Sequence, residues 1–489
     1  MSTRLSKSRF QTGLQCPKAL WLSIHSPGLA DPVPESRQHI FDTGTSIGEL
    51  ARERFANGVL IAEDYTQSAA ALETTRRLLA DPPPALFEAA IEYGGVFVRP
   101  DVLVRVGEGL WDLYEVKSST RLKPENVTDV AVQTWVLEGA GLSIRRAYLM
   151  HLDNSYVYPG GDYDLERLFS ADDVTEQVRA WLPYVPERVA ELREMLEGDM
   201  PAVAIGKHCT SPYDCSFFGH CHAFLPERPV TQLPRLSADL LDALVADGLF
   251  AIADVPADYP GLTAAQRELC DLVRSGQPRF IGDLGASLAG LDHPLHFLDF
   301  ETFMSALPLY PGSRTYQAIP FQWSDHVLDE NGALVHREFL FTGREDPRPE
   351  FIESLIEATA DARSIVVYSS YENTRLAELA RDFPDYAEQI ATIQARLFDL
   401  LAVVRAHVRH PDCVGSASIK VVLPALLGDQ TYKELTIADG GAAALLYLRY
   451  QQGELDANAQ AELLENLRAY CATDTLAMVR VLEALQERA

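Results

Sequence analysis

The chain has 489 residues, 47% of them hydrophobic and 23% charged, with no low-complexity tract; that length exceeds one ordinary core and predicts two or three globular domains. A formal charge of −28 argues against broad, nonspecific nucleic-acid binding but leaves room for a locally basic groove. Residues 1–11, MSTRLSKSRFQ, lack the apolar centre of a signal peptide, and no apolar run is long enough to span a bilayer, so the expectation is a soluble cytoplasmic protein without membrane contact.

In chain order, a short helix is predicted to end near Cys16, ahead of Pro17-Lys18-Ala19-Leu20-Trp21-Leu22, and another covers Thr45 to Phe55 with Glu49 on it. The stretch Phe97 to Ser119 reads as two strands around a turn at Gly107-Glu108-Gly109. Val98, Val102, Val104 and Val106 are β-branched, as strands prefer. Glu115 and Lys117, two residues apart, share a face. With the turn centred on Glu108, Asp101 lies opposite Glu115, and facing like charges destabilise a strand pair. A hard divalent cation with oxygen ligands, such as magnesium, would relieve that repulsion. A surface hairpin with a Glu115–Lys117 salt bridge is the competing reading of these residues alone.

Val127 to Leu137 has helical periodicity and carries Gln133. Arg145 to Tyr158 reads as a strand pair of the same sheet, and Val174 to Leu196 as one long amphipathic helix. Seven cysteines in a chain of cytosolic character point to metal or cluster ligation before disulfides. Cys209, Cys215 and Cys221 fall at even gaps in an irregular loop, and Cys16 makes a natural fourth ligand. Cysteine-only ligation suits zinc or an iron–sulfur cluster.

Pro100-Asp101 followed by Glu115-Val116-Lys117 resembles the PD-(D/E)xK nuclease signature. The resemblance implies that Asp101 and Glu115 hold Mg2+ or Mn2+ and that Lys117 activates or positions the attacking water. It also implies a role for Gln133 on the following helix, although the tyrosine common four residues later is Leu137 here. Glu49 could lend a further acid, but a solvated helix face is the preferred reading. The cysteine arrangement, one before the nuclease core and three after it, is similar to the iron–sulfur subclass of RecB-type nucleases. That resemblance implies a [4Fe–4S] cluster on Cys16, Cys209, Cys215 and Cys221. The relatives place two of the later cysteines closer together, which keeps zinc open as the alternative.

Residues 229–290 read as a small helical connector: a proline-bounded linker, a helix over Leu236 to Val245, a turn at Gly248 and a second short helix. This helix–turn–helix resembles a helix-hairpin-helix, a unit that binds phosphates through turn amides, but a plain connector is the preferred reading. From residue 291, His296 to Thr302 is an apolar strand with Asp299 and Glu301 on one face, an arrangement costly to bury without a cation. Strands are predicted over Gln317 to His326, His336 to Phe341 and Ser364 to Tyr368, the last running into a helix that carries Glu372. Tyr470 and Asp474 share a face of a C-terminal helix. Asp399 reads as structural, and Lys420 in Gly415-Ser416-Ala417-Ser418-Ile419-Lys420 as a phosphate contact or an ordinary helix start.

Asp299, Glu301, Glu372, Tyr470 and Asp474 in this order resemble the DEDD exonuclease pattern, with Glu372 where that family has aspartate. The resemblance implies that the four acids hold metal and that Tyr470 positions water, on an RNase H-like fold. The expected fold class is therefore α/β: a PD-(D/E)xK restriction-endonuclease-like domain over 1–228, the connector over 229–290, and an RNase H-like domain over 291–489. The whole arrangement is similar to a bacterial family that joins an iron–sulfur RecB-type nuclease to a C-terminal domain of unknown function. The expected activity is metal-dependent hydrolysis of nucleic acid, DNA before RNA, in DNA repair or defence against foreign DNA. A second reading makes the C-terminal half a non-catalytic nucleic-acid or protein binding module; a third makes the chain an iron–sulfur scaffold.

Overall fold

The computed structural model describes residues 4–428, 432, 437 and 439–489. The chain divides into two compact units, Met1–Phe224 and Leu225–Ala489. Both are mixed α/β, and among the described residues no helix is long and apolar enough to cross a membrane.

In the first unit the strands are β1 (Leu5–Ser6), β2 (Gly58–Leu60), β3 (Ala85–Phe87), β4 (Ile91–Tyr93), β5 (Val96–Val98), β6 (Val102–Gly107), β7 (Leu110–Lys117), β8 (Ser143–Leu152) and β9 (Phe169–Asp173). The helices are α1 (Lys7–Gln15), α2 (Pro17–His25), α3 (Glu35–Arg52), α4 (Ser68–Ala80), α5 (Pro124–Gly139), α6 (Leu165–Leu168), α7 (Thr175–Trp181), α8 (Val185–Glu197) and α9 (Phe218–His222). Six strands form one sheet in the order β2-β3-β6-β7-β8-β9. The β6–β7 pair is antiparallel, whereas β7 and β8 run parallel and need the crossover that α5 supplies. Leu103, Leu113, Val130, Val136 and Leu149 lie in the shared core between sheet and helices.

Four local expectations are corrected here. The first strand of the Phe97 to Ser119 hairpin is split: β5 pairs in a small separate sheet with β1 and β4, and β6 begins only after Arg99-Pro100-Asp101. Pro100 lacks the N–H that a continuous ladder would use. The Arg145 to Tyr158 stretch is one strand, β8, whose antiparallel partner is the later β9. The Val174 to Leu196 helix is broken by a 3-10 turn at Leu182–Tyr184, because Pro183 and Pro186 fit only in first turns. The helix expected from Thr45 starts ten residues earlier, directly after Pro34, and ends at Arg52.

In the second unit the strands are β10 (Arg279–Phe280), β11 (Leu295–Met304), β12 (Ala318–Leu328), β13 (Leu334–Leu340), β14 (Ser364–Val367), β15 (Leu397–Asp399) and β16 (Val408–Arg409). The helices are α10 (Ala238–Ala246), α11 (Ala264–Ser275), α12 (Leu284–Leu288), α13 (Arg348–Ala358), α14 (Tyr371–Asp382), α15 (Ala387–Gln394), α16 (Leu400–His407), α17 (Ile419–Leu427), α18 (Gly440–Gln452) and α19 (Ala457–Gln486). The second helix expected after Gly248 is a single 3-10 turn, Ile252–Asp254, so residues 238–254 do not make a hairpin of two helices.

The main sheet runs β13-β12-β11-β14-β15. β11, β12 and β13 are antiparallel neighbours, while β14 and β15 run parallel to β11. Leu298 and Phe300 pack with Phe351 and Ile352 of α13 on one face of β11. Phe297 and Phe303 point to the other face, into cores built with α19, and Asp299 and Glu301 alternate between them.

Candidate metal centres and a cysteine cavity

In the first unit, β6 and β7 bring Asp101 and Glu115 together. A bulge at Val106 sets Val102 opposite Tyr114, so the next position in that register aligns Asp101 with Glu115. Asp101 Oδ2 accepts the Val116 backbone N–H at 2.6 Å. Lys117 Nζ sits between Glu115 Oε1 at 2.7 Å and Asp129 Oδ2 at 2.6 Å. Gln133 Nε2, fully buried on α5, donates to Glu115 Oε2 at 2.7 Å. Asp129 lies one turn before Gln133, so both face the same strand end. Asp101, Glu115, Lys117 and Gln133 therefore form one site.

Sequence reasoning missed three of its members. Lys7 Nζ donates to Glu115 Oε1 at 2.6 Å from 108 residues away in the chain, delivered by the β1–β5 pairing. Nothing in the local pattern marks it. Asp129 was findable, since it stands four residues before Gln133 and three after Asn126, on one buried polar stripe of α5. Glu88 holds φ +56°, a left-handed conformation that non-glycine residues avoid, and its carboxylate meets Arg52 at 3.3 Å and Arg99 at 3.4 Å. The expected Glu49 remains exposed on α3.

The electrostatics follow from burial and pairing. Burial, then the Glu115 charge, pushes Asp101 up to about 8. Burial acts the same way on Glu115, but Lys117 and Lys7 outweigh it and hold that carboxyl below the usual range. Burial alone would lower the Lys7 ammonium; Asp129 and Glu115 raise it instead. The chain thus supplies part of the cationic compensation itself. Asp129 Oδ1 and Gln133 Oε1 remain buried without a protein partner. Oxygen donors of this kind fit a hard divalent cation.

Cys16, Cys209, Cys215 and Cys221 line one small cavity with Ala19, Val203, Ile205 and Phe217. Cys16 stands between α1 and α2, as the residue that precedes the first turn of α2. The Phe217 N–H donates to Cys215 Sγ at 3.4 Å. Burial raises the Cys16, Cys209 and Cys215 thiols. Gln15 Nε2 ties α1 to the loop through the His208 and Tyr213 carbonyls, both at 2.7 Å. Four sulfurs around one apolar cavity fit a Cys-ligated iron–sulfur group; no three of them lie within 4.8 Å of one another, which is wider than the roughly 3.8 Å between sulfurs that share one zinc.

In the second unit, Asp299 and Glu301 on β11, Glu372 in the first turn of α14, and Tyr470 and Asp474 on α19 come together. A cavity of about 490 Å³ is lined by Asp299, Glu372, Asp474, Arg405 and Lys420, among others. Burial, then the charges of Asp474 and Glu301, holds Asp299 well above the carboxylate range. Glu301 is pushed by burial and Asp474 up to about 8, and Glu372 by burial up to about 7. Asp474 is raised by burial even though Tyr432 donates to its Oδ1 at 2.6 Å. Lys420 Nζ donates to the Tyr470 hydroxyl at 2.7 Å, so Lys420 serves this site directly. Asp399 caps α16 through the Ala402 N–H at 3.2 Å, a structural role. Sequence reasoning missed Tyr432 and Cys471; the latter is adjacent to Tyr470 and places its Sγ 3.6 Å from Asp299 Oδ2.

Comparison with known proteins adds little chemistry. Residues 296–418 match a family described as "Domain of unknown function (DUF2779)", a span that contains Asp299, Glu301 and Glu372. An uncharacterized protein of Mycoplasma pneumoniae, the MG366 homolog, is 29% identical over an alignment of 211 residues that covers 38% of this chain. A solved structure described as "Crystal structure of SSO0001" aligns with 37% of this chain and 97% of its own, at 13% identity and a TM-score of 0.18. The match spans only 31% of the Mycoplasma relative's own length.

Proposed function

We propose that the protein is a metal-dependent nuclease that hydrolyses DNA phosphodiester bonds, with one centre in each unit. The observation that carries this reading is the meeting of Asp299, Glu372 and Asp474, from three separate elements, around one cavity, with Glu301 buried beside Asp299. Burying that many acids without a cation is costly. The first unit supports the same chemistry with Asp101, Glu115 and Lys117 on a hairpin whose second strand feeds a crossover helix, as in a PD-(D/E)xK fold. The second unit supports an RNase H-like fold: three antiparallel strands continued by two strands parallel to the first. DNA repair or defence against foreign DNA is the setting this chemistry suits.

Magnesium or manganese, held by Asp101 and Glu115 in one unit and by the four acids in the other, would acidify a water and neutralise the scissile phosphate. Lys117, fixed between Glu115 and Asp129, presents an ammonium to the attacking water or the phosphate. Gln133 fixes the rotamer of Glu115. Tyr470, its pKa raised by burial, stays protonated and orients water while accepting from Lys420. A [4Fe–4S] cluster, or zinc, on Cys16, Cys209, Cys215 and Cys221 would close the first unit.

The test is digestion of end-labelled single- and double-stranded DNA and RNA with and without manganese. Lys117→Ala and Asp299→Ala are each expected to remove one separable activity, and undiminished digestion by the double variant would defeat the reading. The alternative, a single-site nuclease with a silent C-terminal module, draws on Tyr432, whose hydroxyl already occupies Asp474 Oδ1. It requires that Asp299→Ala leave every activity intact.

A further inference from the structure

Cys471 is fully buried, one residue after Tyr470 on α19. Its Sγ lies 3.6 Å from Asp299 Oδ2 and 3.9 Å from the Asp299 carbonyl oxygen. Asp299, Glu301 and Cys471 each bring a donor atom within 4.8 Å of the other two, the one such group of His, Cys, Asp or Glu among the described residues. A free core cysteine ordinarily behaves as a small hydrophobe; this one is seated against two carboxylates. Independently, Glu372 is 3% exposed, lines the cavity with Asp299 and Asp474, and leaves Oε2 without a protein partner. An unpaired buried oxygen is expensive, and a bound cation would satisfy it.

Resting on the reading of this acid cluster as a metal centre, we propose that Cys471 is itself a donor there. One cation position takes a thiophilic divalent ion of the zinc class through Cys471 Sγ and the carboxylates of Asp299 and Glu301. Zinc bonds sulfur at about 2.3 Å and carboxylate oxygen at about 2.0–2.2 Å, so two such donors around one tetrahedral ion stand roughly 3.5 Å apart. The Cys471 thiol now donates to Asp299 Oδ2 at 3.6 Å, and that hydrogen bond already holds the two donors at the spacing an ion replacing the proton would need. A mixed sulfur and oxygen set suits a borderline cation and disfavours magnesium at that position. Binding breaks the S–H bond and releases that proton, with those the Asp299 and Glu301 carboxyls carry, to solvent; no electron is transferred. Glu372 and Asp474 are left to hold a hard ion beside it.

The test is a cadmium titration of the full-length protein, read by the ultraviolet sulfur-to-cadmium charge-transfer band, with manganese binding followed in parallel by electron paramagnetic resonance. Asp299→Asn defines the share of both signals that belongs to this centre; sulfurs of the Cys16 cavity supply the constant remainder. Cys471→Ser is expected to lose that share of the cadmium band and to keep manganese binding. A Cys471→Ser protein with an undiminished band, while Asp299→Asn loses manganese, overturns the sulfur ligand and leaves the acid centre standing. Asp299→Asn without effect on either signal removes the acid centre and the thiol proposal together. If Cys471→Ser does not fold, cadmium magnetic resonance of the unaltered protein decides: a resonance typical of one sulfur with oxygens supports the assignment, and only all-oxygen or all-sulfur resonances overturn it.

Discussion

Lys117 shows how much one side chain can carry. Its ammonium is shared by the buried Glu115 and the slightly less buried Asp129. Lys117→Ala should lower cleavage by the first centre about 10²- to 10⁴-fold, the usual contribution of a positioned proton-transfer group, measured as initial rate on labelled duplex DNA. The acids of the second unit make a pH prediction. Between about 4.5 and 8 the folded chain keeps a proton on Glu301 that the unfolded chain releases. Stability of the metal-free protein should therefore fall as pH rises through that window. Manganese favours the ionised carboxylates and should reverse the trend, as thermal melts with and without chelator would show; a flat profile would contradict it. At this scale the sequence was legible where acids interrupt apolar strands, as with Glu115, Asp299 and Glu301, and where Pro100-Asp101 marks the break before β6. It was silent on Lys7 and Glu88, whose roles come from long-range strand pairing and a single left-handed residue rather than from any local pattern.

At the scale of elements, periodicity located β7, β11, β14, α5 and α19 because each is long or strongly apolar. It failed where breakers act inside a pattern. Pro100 cuts a strand, and Pro183 with Pro186 divides a helix whose apolar spacing continues across the break. Partner choice was also illegible: β8 pairs with β9 across the intervening α6 turn, and nothing in the β8 residues specifies that. Gly13 illustrates packing that spacing cannot reveal. A Cβ there would stand 2.7 Å from both δ-carbons of Leu192 and 2.8 Å from Leu20. Both leucines are buried, so neither can move aside freely. Gly13→Ala should destabilise the first unit by about 1–3 kcal/mol, the usual effect of overpacking, measured by denaturant unfolding of the metal-loaded protein; an unchanged midpoint would show that the corner between α1, α2 and α8 is slack.

At the scale of the molecule, each unit has hydrophobic cores of its own. Residues 4–224 and 225–489, produced separately, should each unfold in one cooperative transition by circular dichroism; a fragment without a transition would show that it depends on the other. Visible absorption of anaerobically purified protein should distinguish an iron–sulfur group from colourless zinc at the four cysteines.

Helix α1 begins with Lys7 and ends beside Cys16, nine residues of rigid backbone roughly 13 Å long. The same short rod thus has an ammonium seated on Glu115 at one end and a sulfur in the cysteine cavity at the other. On the proposed reading, stripping or oxidising a group held there would shift the far end of a lever whose near end touches the carboxylate proposed to hold metal. If the protein cuts DNA as proposed, air exposure during purification should lower that activity before the protein loses its fold, and turnover would then gauge the state of the four cysteines.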